Sequence, residues 1–430
     1  MDLLDKEQLK AEELEQEEYQ TEQLYGKKGL RRTMRTGWMY HYPLINGILI
    51  VLSVLILGAL VFVVSYAGTL RDKLPVRNQE EETAQEVQSA TINSVRVEAP
   101  YLTEEQILVG TGVLAYMNSD LEEDVAEVLA AYRKDGTRMD AGYPVTLKFD
   151  VMGLPVGAEV EKIVVEVDEV KSFLNARTIE LDAQARSVSI YHLKTGTKYY
   201  YRITLKLVGG HEVAMLSSFK TAKTPRLLSI DGIVNVRDLG GVTTTDGRTF
   251  RQGILYRGSE MDGRTEFTIT EAGVRDMVDV LGIKTELDLR YLEVMSYALG
   301  SDVEHICYGT AMYSEVLEEE YNEKVRKLFS DLADPETYPA YLHCSYGWDR
   351  TGTICCILQA LLGVSEEDII REHELSALYY GGASTELLEE LLMNLKAMDG
   401  ESLPDKVAGY LLSIGVTQEE IDSIKHILLA

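Results

Sequence analysis

Cysteine is scarce: four in 430 residues, two of them adjacent (Cys355 and Cys356), which is no disulfide framework and offers no zinc spacing. The seven histidines are scattered, so neither a metal nor any other cofactor is expected. Basic residues are also short, with 42 Lys and Arg against 70 Asp and Glu, for a net charge of −28. Phosphate backbones would be repelled, which excludes nucleic acid as a partner. Tryptophan occurs only at 38 and 348. The length leaves room for two or three domains.

The most telling absence is local. Residues 43–70 contain no charged side chain and are rich in Leu, Ile and Val. About 20 such residues cross a bilayer, and Trp38, Tyr40, Tyr42 and Tyr66 flank the run as interfacial anchors do. Some 40 residues precede it and no small-residue cleavage site follows, so a retained membrane helix is expected rather than a removed signal. Lys27, Lys28, Arg31, Arg32 and Arg35 lie just before the run with no acid among them. Arg71, Lys73 and Arg77 lie after it, diluted by Asp72 and by Glu80 to Glu82. The positive-inside rule then places the N-terminus in the cytoplasm and the rest outside the cell. Residues 1–42 form a tail, acidic and then basic. Residues 71–100, polar and rich in Gln and Glu, form a stalk or linker.

From 101 to 222 the pattern becomes that of a β-sandwich, after a partly helical stretch (Leu121 to Tyr132). Val145, Leu147, Phe149 and Val151 alternate with polar or small neighbours, as do Ile163, Val165 and Val167. Lys194-Thr195-Gly196-Thr197 is a turn feeding the strand Tyr199-Tyr200-Tyr201-Arg202-Ile203, where a tyrosine can bond back to the turn. With Phe219-Lys220-Thr221 this resembles a fibronectin type III module over about 140–222. It departs from that family in lacking a tryptophan for the early core strand. Its expected role is a spacer; any ligand is unknown.

From 224 to 430 strands alternate with helices, predicting an α/β domain with a central, largely parallel sheet flanked by helices. Strands are expected at 253–257, 283–289, 303–308 and 339–343. Helices are expected at about 270–281, 314–332, 352–362, 366–379 and 384–397. Between the last strand and the apolar helix after it lies His343-Cys344-Ser345-Tyr346-Gly347-Trp348-Asp349-Arg350-Thr351-Gly352. A tight loop opening a helix points backbone N–H groups and the positive helix end at an anion. Such a setting binds phosphate and turns a thiol into a nucleophile. Cys344 is the expected nucleophile and Arg350 the bidentate clamp on the phosphoryl oxygens. Ser345, Tyr346, Gly347 and Trp348 complete the substrate cradle. Thr351 is placed to donate its hydroxyl to the cysteine sulfur, and His343 to orient the loop. The plain alternative is a buried cysteine that only packs.

This Cys-x5-Arg-Thr loop resembles that of the protein tyrosine phosphatase superfamily. Asn235-Val236-Arg237-Asp238-Leu239-Gly240-Gly241, Leu255-Tyr256-Arg257-Gly258-Ser259, Gly282 to Arg290 and Gly415-Val416-Thr417 extend the likeness to its bacterial tyrosine and phosphoinositide branch, over about 224–430. The resemblance implies a phosphocysteine intermediate, a phosphorylated protein or phosphate monoester as substrate, and Asp349 as general acid. Asp331 and Asp334 are alternative acids. Arg237 and Asp238 are expected to hold the loop, and Arg257, Asp288 and Arg290 to form an ion-pair network. Members of this branch carry Lys where this chain has Trp348, which favours phosphotyrosine over polyphosphorylated inositides. Cys307, Cys355 and Cys356 are candidates for a reversible disulfide with Cys344, with buried packing as the default. The competing functions are a lipid or small-molecule phosphatase, and a surface protein that binds phosphopeptides without turnover.

Overall fold

Strand β1 (Arg96–Glu98) opens the chain in a computed structural model that describes residues 95–120, 125–133, 138–291, 297–380 and 385–430. The uncharged run 43–70, the tail before it and nearly all of the stalk lie outside the described residues. Among the described residues, no helix is long and apolar enough to cross a membrane. β1 itself falls inside the segment expected as stalk. Helices α1 (Thr111–Met117) and α2 (Val125–Ala130) follow.

Seven strands come next: β2 (Val145–Lys148), β3 (Asp150–Met152), β4 (Val160–Asp168), β5 (Arg177–Asp182), β6 (Ser187–Ile190), β7 (Lys198–Leu207) and β8 (Glu212–Lys220). All pairings among them are antiparallel: β1 with β3, β2 with β6, and a four-stranded sheet in the order β5-β4-β7-β8. Period-two burial explains why these residues pair as strands, since Tyr199, Tyr201, Ile203 and Leu205 all point inward along β7. The Lys194 amide donates to the Tyr199 hydroxyl at 2.8 Å, so a tyrosine does tie the strand to its turn.

The C-terminal sheet contains β9 (Arg226–Leu227), β10 (Arg237–Asp238), β11 (Leu255–Gly258), β12 (Thr285–Asp288), β13 (Glu304–Cys307) and β14 (Ala340–His343). Its order is β13-β12-β14-β11-β10-β9. The first four strands run parallel, whereas β10 pairs antiparallel with β11, and β9 antiparallel with β10, at one edge. The sheet is therefore mixed, with the parallel centre that was expected and an antiparallel edge at β10. Two-residue strands carry no readable periodicity, and a short connection returns the chain antiparallel.

The helices are α3 (Glu271–Arg275), which runs on into a π turn over 276–280, α4 (Asn322–Leu332), α5 (Asp349–Leu362), α6 (Glu366–Glu374), α7 (Ala377–Tyr380), α8 (Glu386–Lys396), α9 (Leu403–Ser413) and α10 (Gln418–Leu428). α5 is apolar on every face and buries each residue from Thr351 to Leu362, as befits a helix at the centre of a core. Each of Ile354, Ile357, Leu358 and Leu361 contributes about 1.5–3 kcal/mol by burial. Gly363, at φ +83°, ends the helix.

The stretch before β2 packs on this domain. Val109, Val113, Tyr116, Val125 and Leu129 share one buried cluster with Leu227, Leu375, Ala377 and Leu378. The Tyr116 hydroxyl bonds to Glu374, and Arg371 donates to the carbonyls of Tyr116 and Ser119 at 3.1 and 2.7 Å.

Candidate active site

β14 ends at His343 and α5 begins at Asp349, so residues 344–348 form the loop at the C-terminal end of the central strand. Cys344 is buried, with 4% of its surface exposed. The first N–H groups of α5 have no partner four residues back and face the loop with the positive end of the helix. Gly347 sits at φ +69°, and a Cβ there would come within 2.2 Å of the Gly258 carbonyl oxygen. Only glycine lets the loop lie this close to β11.

Three donors grip the loop from behind. Arg257 gives Nη2–H to the Gly347 carbonyl at 2.6 Å, and the Asn235 amide reaches the carbonyls of Gly347 and Tyr346 at 3.1 and 3.2 Å. The Glu260 amide donates to the Ser345 carbonyl at 3.0 Å. Glu372, on α6, holds both Arg237 (2.6 Å) and Arg257 (2.7 Å). Burial would raise the Glu372 pKa, but the two guanidiniums outweigh it and hold the carboxyl below its usual range.

His343 bridges the loop and the sheet. Its Nε2 lies 2.9 Å from Glu286 Oε1 and its Nδ1 lies 3.1 Å from the Cys344 carbonyl oxygen. Burial opposes its charge, yet Asp288 and Glu286 prevail and hold its pKa up at about 9. A charged imidazole donates from both nitrogens, which matches both contacts. Glu286, Asp288 and His343 also present a metal-capable cluster, but these groups are already bonded to one another, to Arg290 and to His305.

The expected Arg257–Asp288–Arg290 network divides into two. Arg257 belongs to Glu372 and the loop carbonyls, while Arg290 is held by Asp288 (2.7 Å), Glu260 (2.6 Å) and Asp262 (3.0 Å). Asp238 does not hold the loop: it accepts from Arg226, Gly240 and Gly253 and secures β9 and β10. The reason is the pleat, which sends neighbours Arg237 and Asp238 to opposite faces. The Thr351 hydroxyl is buried without a hydrogen-bond partner, so the donation expected toward the Cys344 sulfur is not made.

Asp349 and Arg350 both lie on the first turn of α5. Asp349 Oδ1 accepts from the Tyr313 hydroxyl at 2.5 Å. Arg350, half-buried, makes no ion pair among the described residues and lies in the electrostatic reach of Tyr291. Asp331 is engaged by Tyr308 (2.8 Å) and Lys327 (2.7 Å), and Asp334 caps the turn Pro335–Thr337. Tyr346 is 38% exposed and meets Phe267 edge-on. The Trp348 indole N–H donates to His373 on α6 at 3.3 Å. The Cys307 thiol donates to the Arg290 carbonyl at 2.9 Å, whereas Cys355 and Cys356 are buried. Burial pushes the Cys355 thiol up to about 12 and Cys356 higher still, which leaves both inert.

Three residues that shape the site escaped the sequence reading. Glu372 sits in an acid-rich helix, Tyr313 just before a segment expected to be plain helix, and Asn235 in a motif that gave it no role. Nothing in the local pattern marks the first two.

The geometry matches what the comparisons show. Residues 228–430, slightly under half of the chain, match the tyrosine phosphatase family. No curated protein matches the chain. Similar solved structures include the core catalytic domain of the PP-IP phosphatase SIW14 from S. cerevisiae, in complex with citrate. It is 15% identical, covers 34% of this chain and 92% of that domain, and has a TM-score of 0.24. TpbA from P. aeruginosa is 16% identical, with coverage of 39% and 89% and a TM-score of 0.27.

Proposed function

We propose that the C-terminal domain hydrolyses phosphotyrosine through a phosphocysteine intermediate. The observation that carries this is a buried Cys344 at the end of β14 facing a helix whose first turn bears Asp349 and Arg350. Cys344 Sγ attacks phosphorus and forms the S–P bond as the bond to the leaving oxygen breaks. Asp349 gives its proton to that oxygen. Water then attacks phosphorus, returns a proton to the Asp349 carboxylate and releases Cys344 and inorganic phosphate. Arg350 and the loop amides stabilise the charge on the phosphoryl oxygens, more strongly in the transition state than in the bound substrate. Thr351 has no part in this scheme as the residues stand.

Trp348 and the exposed Tyr346 favour a phenyl ring at the mouth over an inositol ring with several phosphates. The uncharged run 43–70 supports a membrane-anchored setting, with the catalytic domain outside the cell by the charge bias of its flanks. Cys344→Ser should abolish turnover of para-nitrophenyl phosphate while a phosphotyrosine peptide still binds. Turnover by that variant would sink the mechanism. Faster hydrolysis of a soluble phosphoinositide than of a phosphotyrosine peptide by the wild type would overturn the substrate assignment.

A further inference from the structure

We infer that Tyr313 is a positioning residue: its phenol fixes one carboxyl oxygen of Asp349 and leaves the other free to deliver the proton to the leaving group. This rests on the reading of Asp349 as general acid.

Tyr313 stands at φ +52°, a left-handed backbone conformation that is a true outlier for a bulky side chain. Such a conformation persists only where the surroundings over-determine it, and here two linked contacts do so. Thr353 Oγ1 accepts the Tyr313 amide N–H at 2.6 Å and donates its own proton to the Asp349 carbonyl at 2.8 Å. The Tyr313 hydroxyl then reaches back to Asp349 Oδ1 at 2.5 Å. The turn carrying Tyr313 is thus tied to the first turn of α5 through both the main chain and the side chain of the same aspartate. The ring is buried and rests edge-on against His373, 6.0 Å between centroids, so it has little freedom to swing away.

The chemistry gives this clamp a purpose. A carboxylic acid donates from one oxygen at a time, and a donor held on Oδ1 leaves Oδ2 as the oxygen that carries the proton. Burial and the neighbouring Asp349 raise the Tyr313 pKa far above its ordinary value, so the phenol stays a donor throughout turnover. Asp349 opens α5 directly after the loop, where its side chain needs an outside support to keep one rotamer. Tyr313 is that support, contributed by a segment 36 residues earlier in the chain.

The test exploits leaving-group chemistry. Phosphotyrosine expels a phenolate with a pKa of about 10, which needs the proton. A fluorinated coumarin phosphate expels a weakly basic phenolate, which does not. Tyr313→Phe should lower kcat on a phosphotyrosine peptide by about ten- to a hundredfold, a part of the roughly hundred- to ten-thousandfold that general acid catalysis supplies. On the coumarin substrate the loss should stay under about threefold. In an Asp349→Asn background Tyr313→Phe should cost almost nothing further, because paired residues are non-additive. Thr353→Val, which keeps the ring intact and removes the tether, should show the same substrate selectivity in milder form. Equal losses on both substrates, or an undiminished loss in the Asp349→Asn background, would reduce Tyr313 to a packing residue and overturn the inference. Residual turnover by Cys344→Ser would instead strike at the phosphatase reading beneath it.

Discussion

Glu372 neutralises two buried guanidiniums, those of Arg237 and Arg257, and Arg257 in turn holds the carbonyl of Gly347. Removing it leaves two uncompensated cations in the interior, a change that costs about 3–5 kcal/mol when a buried pair is broken. Glu372→Ala should therefore lower the urea midpoint sharply and weaken inhibition by vanadate. A midpoint within experimental error of the wild type would show that Arg237 and Arg257 find other partners. Cys344, Arg350 and Asp349, the proposed nucleophile, clamp and acid, could be picked out in sequence because they sit within seven consecutive positions. Glu372, Tyr313 and Asn235 were not, because their contacts join residues far apart in the chain. Asp238 was misplaced for a related reason: adjacency in a motif says nothing about which face of a strand a side chain takes.

Strands β11, β12, β13 and β14 were readable as apolar runs bounded by turns; the last three lie within their expected ranges, and β11 runs one residue past 257 to Gly258. The segment expected as a helix over 314–332 instead begins with two 3₁₀ turns, since Tyr313 is left-handed and Glu318 is extended before α4 starts. Tertiary contact with α5 overrides the helical pattern there. The extra element before the sandwich has a bearing on the loop as well. Asp140, paired with Arg138 at 2.8 Å, accepts the Asn235 amide N–H at 2.7 Å, and Asn235 in turn supports the loop carbonyls. Asn235 itself is at φ +59°. Asp140→Ala leaves that buried amide unpaired, at a cost of about 1–3 kcal/mol. It should raise the inhibition constant for inorganic phosphate several-fold, and Asp140→Asn, which keeps an acceptor oxygen, should restore most of the loss. Unchanged phosphate inhibition in the alanine variant would confine Asp140 to a local role.

For the molecule as a whole, His343 sets a pH dependence of stability. Its pKa is 6.5 as the ordinary value and about 9 in the fold. A raised pKa means that the folded state binds the proton more tightly than the unfolded chain. The stabilisation is complete below about pH 6.5 and fades as pH rises through about 9. Urea midpoints should therefore fall from pH 6.5 to pH 9.5, and His343→Gln should flatten that slope. An unchanged slope in the variant would assign the dependence to other groups.

The cluster shared by Val113, Tyr116, Val125 and Leu129 with Leu227, Leu375 and Leu378 also redraws the border of the C-terminal domain. The family likeness begins at residue 228, but the foldable unit begins well over a hundred positions upstream. A fragment cut at the likeness border would bare a greasy flank beside α6 and α7, and α6 is the helix whose Glu372 and His373 brace the Cys344 loop. Transplanting this domain onto another scaffold thus requires carrying its upstream wrapping along.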